Sequence, residues 1–294
     1  MDERDRLAER FEEHRPHLTA VAYRMLGSLS EAEDAVQETW LRTERSGVDG
    51  VENLGGWLTT VAGRICLDQL RTRRTLREDP LETHVPEPVV SRADGIDPEQ
   101  EAVLADSVGL ALLVVLDTLA PAERLAFVLH DMFAVPFDEI APIVERTPAS
   151  ARQLASRARR RVQGAAPAPD TDLARQRKVV DAFLAASRQG DFDALLAVLD
   201  PDVVLRADSG EAMPSLSKLV RGARSVVAQA LTFSKAALLA RPALVNGAPG
   251  LVTFREGELL SVMAFTVVGG KVVEINILAD PARLKRLDVS RLDG

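Results

Sequence analysis

At 294 residues the chain is long enough for two or three small domains, each with its own hydrophobic core. Its single cysteine, Cys66, excludes an internal disulfide, and no apolar run is long enough to cross a bilayer, so we expect a cytoplasmic protein without membrane attachment. The net charge of −8 argues against nonspecific coating of nucleic acid, so any DNA contact must come from a local basic surface or with a partner's help. The histidines and Cys66 lack metal-ligand spacing, and we expect no metal site and no cofactor.

Residues 1–75 predict a helical domain. Apolar residues recur at helical spacing and end at Gly27: Leu18, Val21, Ala22, Met25 and Leu26. A second helix is expected to open at Ser30, with Ser30 as its N-cap and Glu33 completing a capping box. A third helix is expected over residues 56–73.

Residues 76–100 differ in character, because prolines alternate with acidic residues and apolar periodicity is weak. This composition predicts an extended acidic linker. Helices are expected again over residues 101–164, followed by a Gly/Ala/Pro hinge over residues 164–170.

A helix-turn-helix is predicted within residues 136–162. A short helix over 136–144 is followed by a turn at Glu145 and Arg146, and Thr147 and Pro148 then suit the N-cap and first position of a second helix. One side of that helix is small or apolar. The other side carries polar and basic residues: Ser150, Arg152, Gln153, Arg157, Arg160 and Arg161. Such a division fits a DNA recognition helix, although a solvated arginine-rich face is an alternative of similar weight from this pattern alone.

Residues 171–294 change to alternating apolar patterns. Two helices near 179–187 and 192–199 precede predicted strands at 203–208, 243–246, 251–256, 259–268 and 271–278. Gly269 and Gly270 lie between two of these strands and predict a two-residue hairpin. The fold class is therefore multidomain, with two all-α domains and a C-terminal α+β domain built on a curved antiparallel sheet.

Four ordered segments within residues 11–164 resemble extracytoplasmic-function RNA polymerase sigma factors. They are the opening segment 11–27, the segment 33–42, the segments 56–62 and 66–71, and the segment 119–127 with its helix-turn-helix. The resemblance implies a sigma domain two over residues 1–75 and a sigma domain four over residues 101–164. It also implies core RNA polymerase and promoter DNA as partners.

The same resemblance implies roles for individual residues. Polymerase binding is expected on the second helix: Asp34, Gln37, Glu38 and Arg42. Contact with the minus-10 promoter element is expected at the third helix: Arg64, Asp68, Arg71, Arg73 and Arg74. Contact with the minus-35 element is expected at the helix-turn-helix: Arg146, Ser150, Arg152, Gln153, Arg157, Arg160 and Arg161. Capture of an unpaired minus-10 base is expected in residues 43–53, whereas Trp40 and Trp57 are expected to pack in the core.

Residues 171–294 resemble the SnoaL-like extension that one subgroup of these sigma factors carries. Two partial motifs of that subgroup are present: Pro86-Glu87-Pro88 in the linker, and the segment with Asp280, Pro281 and Leu284 near the end. The resemblance implies that these two segments meet in a regulatory contact, so that the tail modulates the sigma domains in cis.

An enzymatic tail is the rival hypothesis, because some SnoaL-like proteins are cyclases. Acid–base chemistry would need a positioned side chain in a pocket, and the tail offers only carboxylates: Asp208, Glu211, Glu256, Glu258 and Glu274. We expect Asp208 and Glu274 to be simply solvated. A third possibility is a sensor whose pocket binds an unknown small apolar ligand.

Overall fold

The computed structural model describes residues 3–48, 50–76, 82–93, 109–165, 168–289 and 292. The chain divides into two compact units. The helical unit comprises residues 1–79, 101–106 and 115–165, and the C-terminal unit comprises residues 80–100, 107–114 and 166–294. Among the described residues, no helix has both the length and the apolar character that crossing a bilayer requires.

The first part of the helical unit is a bundle of α1 (Glu3–Leu26), α2 (Leu29–Ser46) and α3 (Leu54–Leu76). The predicted apolar repeat of α1 is confirmed, since Leu18, Val21 and Met25 are fully buried. The helix ends where predicted, because Gly27 adopts φ 72°, a left-handed conformation that glycine reaches at little cost.

The predicted start of α2 is wrong by one residue and its predicted cap by two. Ser28, not Ser30, is the N-cap, and its Oγ accepts a hydrogen bond of 3.4 Å from the backbone N–H of Glu31. Ser28 and Ser30 both suit a cap by residue type, and their hydroxyls lie 3.1 Å apart. The backbone turn at Gly27 places the first free N–H groups within reach of the earlier serine.

Among the residues that the structure describes, four further helices follow the linker: α4 (Leu110–Asp117), α5 (Pro121–Phe127), α6 (Phe137–Ile143) and α7 (Pro148–Ala165). A π-helical turn over Val128–Met132 joins α5 to the segment before α6. The apolar side of α7 is buried through its alanines Ala151, Ala155 and Ala158. The prediction that helices resume at residue 101 concerns residues outside the described ranges.

The C-terminal unit packs helices on a seven-stranded sheet. Its helices are α8 (Leu173–Gln189), α9 (Phe192–Val198), α10 (Ala223–Thr232), α11 (Ser234–Ala237) and α12 (Pro281–Leu284). Its strands are β1 (Val90–Arg92), β2 (Leu199–Asp208), β3 (Lys218–Arg221), β4 (Ala240–Val245), β5 (Ala248–Arg255), β6 (Glu258–Val268) and β7 (Lys271–Leu278), in the order β1-β4-β5-β6-β7-β2-β3. The predicted hairpin between β6 and β7 is confirmed, with Gly269 and Gly270 both at positive φ.

The sheet is mixed rather than wholly antiparallel. β2 and β7 run parallel, pairing Leu205 with Ile275, whereas the other neighbours are antiparallel. A parallel pair needs a long crossover, and the chain between β2 and β7 supplies one through β3 to β6. Local periodicity predicts individual strands but carries no information on which distant strands become neighbours.

The described part of the predicted acidic linker pairs with the C-terminal sheet. Val90–Arg92 forms β1, which pairs antiparallel with β4 at one edge of the C-terminal sheet. Asn246 completes this contact, because its N–H donates to the Val89 carbonyl at 2.8 Å and its Oδ1 accepts from the Val89 N–H at 3.1 Å. The described part of the linker, residues 82–93, therefore belongs to the C-terminal unit.

Candidate functional site

The residues predicted to bind polymerase lie along one side of α2. Asp34, Gln37 and Arg42 are exposed and Glu38 is partly exposed. Arg42 donates a hydrogen bond of 2.8 Å to Glu38 one turn earlier. This hydrogen bond lowers the pKa of Glu38 below its usual value, so the carboxylate stays charged.

A groove between α2 and α3 brings two predicted sites together. Asp34, Glu38 and Arg42 from α2 line it beside Asp68 and Arg73 from α3. The predicted polymerase-binding and minus-10 residues thus share one surface of the helical unit.

Four of the five predicted minus-10 residues are exposed on α3: Arg64, Asp68, Arg71 and Arg74. Arg73 has a different environment. Its guanidinium donates to the Leu26 carbonyl at 3.0 Å and forms an ion pair with Glu31, so it ties α3 to the turn between α1 and α2. Arg73 is therefore engaged in contacts within its own domain, and local residue spacing does not predict its pairing with Glu31.

Three further features of this domain are its tryptophans, Cys66 and the predicted loop over residues 43–53. Trp40 and Trp57 are partly buried, and Trp40 packs edge-on against Phe11 with ring centroids 5.1 Å apart. Cys66 is buried, and burial raises the pKa of its thiol to about 12. The predicted loop is shorter than expected, because residues 43–46 belong to α2 and its cap is Gly47.

The helix-turn-helix has the predicted local structure. Glu145 takes φ 57° in the turn, and the Arg146 N–H donates to the Ala141 carbonyl at 3.0 Å, which closes α6. The Thr147 hydroxyl accepts from the Ser150 N–H at 3.3 Å, and Pro148 begins α7. The residue types that predicted a capped helix therefore perform that role.

The polar face of α7 separates into free and tethered side chains. Ser150 is partly buried. The other predicted minus-35 residues are exposed: Arg146, Arg152, Gln153, Arg157, Arg160 and Arg161. Arg161 pairs with Glu123 at 3.1 Å, and the neighbouring Arg159 donates from Nε to Asp131 at 2.7 Å. Arg152 lies 5.2 Å from the centre of the Phe137 ring, a cation–π distance.

In the C-terminal unit a buried cluster forms around Asp208 at the end of β2. Its Oδ2 accepts from Arg283 at 2.7 Å and from the Val85 N–H at 3.0 Å, and His84 lies 3.4 Å away. Burial alone would raise the pKa of Asp208. The hydrogen bonds from His84 and Val85 and the charge of Arg283 outweigh burial and lower the pKa to about 2.

Glu87 of the linker is the second centre of this cluster. It is only 4% exposed and contacts two arginines of the terminal segment, Arg283 at 3.4 Å and Arg286 at 2.5 Å. Arg283 also donates to the Val85 carbonyl at 2.5 Å, so one side chain joins the linker to β2. The structure therefore brings together the two segments that the resemblance linked.

The other named residues of these two segments have different roles. Pro86 and Pro88 are buried beside Glu87, and Leu284 is buried in α12. Asp280 caps α12 by accepting from the Ala282 N–H at 2.9 Å, and Pro281 is exposed. The charged contacts to the linker come from Arg283 and Arg286, which the sequence prediction did not single out.

The expectation that Asp208 and Glu274 are simply solvated is wrong. Both are buried and paired, Asp208 with Arg283 and Glu274 with Arg206 at 2.8 Å. Arg206 also donates to the Glu82 carbonyl of the linker at 2.8 Å. The alternating pattern placed these carboxylates on the sheet face opposite the helices, but it could not show that the linker covers that face.

The helix-facing side of the sheet is filled by apolar side chains. Phe183 of α8 packs edge-on against Phe265 of β6 at 5.1 Å, within a cluster that includes Leu195 and Ile275. Within the described ranges, no group of three His, Cys, Asp or Glu side chains is arranged to hold a metal ion.

Together these features define a class: a helical domain whose second helix exposes acidic residues, followed by a helix-turn-helix domain that presents arginines outward. Family models agree with this division. Sigma-70 region 2 matches residues 10–75, and Sigma-70 region 4 matches residues 109–162.

Two relatives, one of them also with a solved structure, extend the match beyond these two domains. The probable ECF RNA polymerase sigma factor SigI of Mycobacterium tuberculosis is 34% identical over 290 residues, covering 98% of both chains. The ECF sigma factor SigJ of the same organism is 45% identical over 219 residues, covering 74% of this chain and 70% of the relative. The crystal structure of Mycobacterium tuberculosis SigJ superposes with a TM-score of 0.77 and 38% identity, covering 96% of this chain and 99% of that chain.

The chain belongs to the extracytoplasmic-function RNA polymerase sigma factor family, with a C-terminal SnoaL-like domain. It is accordingly a sigma factor that acts with core RNA polymerase and promoter DNA to direct promoter-specific initiation of transcription. Sigma factors are transcription regulators rather than enzymes.

Proposed function

We propose that this sigma factor docks on polymerase through the exposed side of α2, reads promoters with α3 and α7, and is modulated in cis by its C-terminal domain. It performs this work in the cytoplasm. The observation that carries promoter reading is the division of α7, whose alanines are buried while Gln153 and Arg157 are exposed. Guanidinium and amide groups placed this way reach base edges in a major groove.

Polymerase docking is tested by reversing charge on α2. Asp34→Arg with Glu38→Arg should abolish holoenzyme formation, because both carboxylates belong to the exposed docking face. Helical content should stay unchanged, since neither side chain is buried. A pull-down with core polymerase and a circular dichroism spectrum measure the two effects.

The matched control reverses two exposed acidic residues of α1, Glu9→Arg with Glu13→Arg. This control carries the same change in net charge away from the docking face. If the α2 variant binds core polymerase as well as the control does, the docking assignment is wrong.

Modulation in cis is supported by the way in which the linker is held. Arg283 contacts Asp208, Glu87 and the Val85 carbonyl, so linker, sheet and terminal helix converge on one guanidinium. Both carboxylates are buried, and removing the cation would leave two buried charges poorly paired. A contact of this kind can switch between a held and a released linker.

Arg283→Gln tests this modulation. The variant should release the linker and change transcription from a cognate promoter in a reconstituted assay, while core-polymerase binding is retained. Arg255→Gln is the matched control, since Arg255 is an exposed arginine at the end of β5 and the charge change is identical. If the two variants transcribe equally, the linker contact has no regulatory role.

The same geometry supports a noncatalytic role for the C-terminal domain. Asp208 and Glu274 are engaged in buried ion pairs, and the other candidate carboxylates Glu211, Glu256 and Glu258 are exposed. A general acid or base must reach a substrate in a pocket with a proton to exchange, and none of these five is so placed. The domain thus serves to hold the linker.

A further inference from the structure

Two aromatic rings of sigma domain four contact one arginine of α7. Phe137 is the first residue of α6, and its ring is stacked on the His130 ring with centroids 3.8 Å apart and an interplanar angle of 30°. We call these two rings the His130–Phe137 stack. The Arg152 guanidinium lies 5.2 Å from the centre of the Phe137 ring. The stack therefore joins the turn before α6 to α7.

The backbone of this turn fixes the orientation of His130. Nδ1 of His130 lies 3.0 Å from the Val135 carbonyl, and Nδ1 must donate because a carbonyl oxygen only accepts. The carbonyl comes within reach because the chain reverses after the π-helical turn, where the Ala134 N–H donates to the His130 carbonyl at 3.1 Å. Ala134 has φ 55°, an uncommon conformation for a residue other than glycine, which the surrounding contacts must hold. His130 thus gives the Phe137 ring a fixed support.

Arg152 lies at the border between the two faces of α7. Arg159 follows about two helical turns later, so both arginines lie on the same side of the helix, next to the buried alanines and away from Gln153 and Arg157. Arg159 donates from Nε to Asp131 at 2.7 Å. Arg152 differs, because within the described ranges its partner is an aromatic ring and no carboxylate pairs with it. Its charge is therefore not neutralised within the domain.

A position at this border suits contact with a DNA phosphate. In a helix-turn-helix the second helix enters the major groove while the first helix crosses the DNA backbone, and Phe137 begins that first helix. An arginine held against Phe137 therefore lies on the side of α7 that meets the backbone. Phosphate contacts fix the register of a helix on DNA, whereas base contacts read the sequence. A guanidinium that is already oriented also loses less side-chain freedom on binding.

We infer that the His130–Phe137 stack positions Arg152 for a DNA phosphate and thereby fixes the register of α7 in the major groove. This inference rests on the proposal that α7 reads promoters. It adds that Phe137 is a positioning residue, which controls promoter affinity through Arg152 while Gln153 and Arg157 read the bases.

Three substitutions separate the ring from the charge. Phe137→Leu keeps an apolar side chain but removes the aromatic face, and Arg152→Lys keeps the charge but removes the planar guanidinium. Each should weaken holoenzyme binding by about two- to fivefold, the size of an exposed cation–π contact, and should do so alike for all single-base variants of the promoter. Arg152→Gln removes the charge, so the slope of log affinity against log salt should also fall by about 0.9, the value for one phosphate. The probe is a duplex that the parent holoenzyme protects in a footprint.

A double-mutant cycle decides whether Phe137 acts through Arg152. Phe137→Leu should have little further effect in the Arg152→Gln background. It should keep its full effect in the Arg160→Ala background, because Arg160 is about 12 Å further along α7. Phe137→Tyr restores an aromatic face and should recover most of the lost affinity. Circular dichroism and thermal unfolding are measured on each full-length variant, and Arg152→Lys, at an exposed position, tests the same contact if Phe137→Leu loses helical content.

Two results would overturn the inference. One is an equal loss from Phe137→Leu with and without the Arg152 side chain, since the ring would then act only on the stability of the domain. The other is parental binding by both Arg152→Lys and Arg152→Gln. Failure of the proposed promoter reading gives a different result, because Gln153→Ala and Arg157→Ala would then leave base discrimination unchanged. Lost discrimination in those two variants without any effect at Arg152 would keep α7 as the recognition helix and exclude only the role of the stack.

Discussion

At the scale of single residues, the arginines of α7 differ in whether they are already paired with carboxylates of their own domain. Arg159 and Arg161 are bound to Asp131 and Glu123, which orient them along the domain's own surface. Arg157 and Gln153 are exposed, and their ends remain able to reach a base edge. We therefore expect base reading from Gln153 and Arg157, and phosphate contact from Arg160.

Alanine substitutions separate these two roles. Gln153→Ala and Arg157→Ala should each lose about 1–3 kcal/mol of discrimination at one base position of the minus-35 element. Arg160→Ala should weaken all promoter sequences alike and flatten the dependence of affinity on salt. Competition binding of holoenzyme to single-base promoter variants, repeated at several salt concentrations, measures both effects. The assignment of α7 as the recognition helix is lost if a footprint on the cognate promoter is indifferent to all three changes.

Residue-level prediction from sequence succeeds where the cause is local and a single residue suits the role; Ser28 and Ser30 both suited the α2 cap, and the wrong one was predicted. Thr147 and Pro148 begin α7 as expected, because a cap depends only on residues within one turn. It fails where the partner is remote, as with Arg283, which contacts Glu87 at a separation of 196 residues. No spacing rule relates such positions, so the centre of the linker contact could not be found from the chain alone.

At the scale of elements, β1 is the feature that sequence patterns miss. It is three residues long and follows a run of prolines and acidic residues, so it has too few positions to show alternation. β1 forms because it pairs with the edge of β4, which would otherwise have unsatisfied N–H and C=O groups. An unpaired edge strand favours association with other chains. The linker thereby covers one edge of the sheet.

Asn246→Gly tests how firmly β1 is held. Asn246 has φ 51°, which glycine also adopts readily, so the turn should be preserved while the acceptor for the Val89 N–H is lost. A buried donor left without its acceptor costs about 1–3 kcal/mol. Amide hydrogen exchange and proteolysis should therefore speed up within residues 82–93 and remain unchanged in α2. Glu256→Gly is the control: Glu256 is exposed at a turn position with φ 55° and lies outside the linker contact, so exchange within residues 82–93 should match the parent chain.

At the scale of the whole molecule, the chain joins two sigma domains to a C-terminal domain that binds residues 82–93 of the linker between them. Tethering two DNA-contacting domains on one polymerase raises their effective concentration at a promoter, so strong DNA binding by each domain alone is not required. This explains how a protein of net charge −8 reads specific DNA. We propose that a restraint on residues 82–93 limits the range over which sigma domain four can search, so that contact with the C-terminal domain controls promoter binding.

Two truncations test this control in the intact sigma factor. A chain ending at Leu278 lacks α12 and with it Arg283 and Arg286, so Glu87 loses both of its arginine partners and the linker should be released. A chain ending at Gly164 lacks the whole tail. Both should change transcription from a cognate promoter while core-polymerase binding is retained, because the residues proposed to dock on polymerase lie in α2.

A chain ending at Asp288 is the control for these truncations, since it keeps both arginines and should transcribe like the full chain. The two test truncations also distinguish the effect of the linker contact from the effect of the C-terminal domain's presence. A change common to both follows from loss of the linker contact, whereas a change found only in the chain ending at Gly164 follows from removing the domain itself. If both transcribe like the control, the tail does not regulate in cis. The sensor hypothesis would then require a ligand that displaces apolar side chains such as Phe183 and Phe265 from the interior of the SnoaL-like domain.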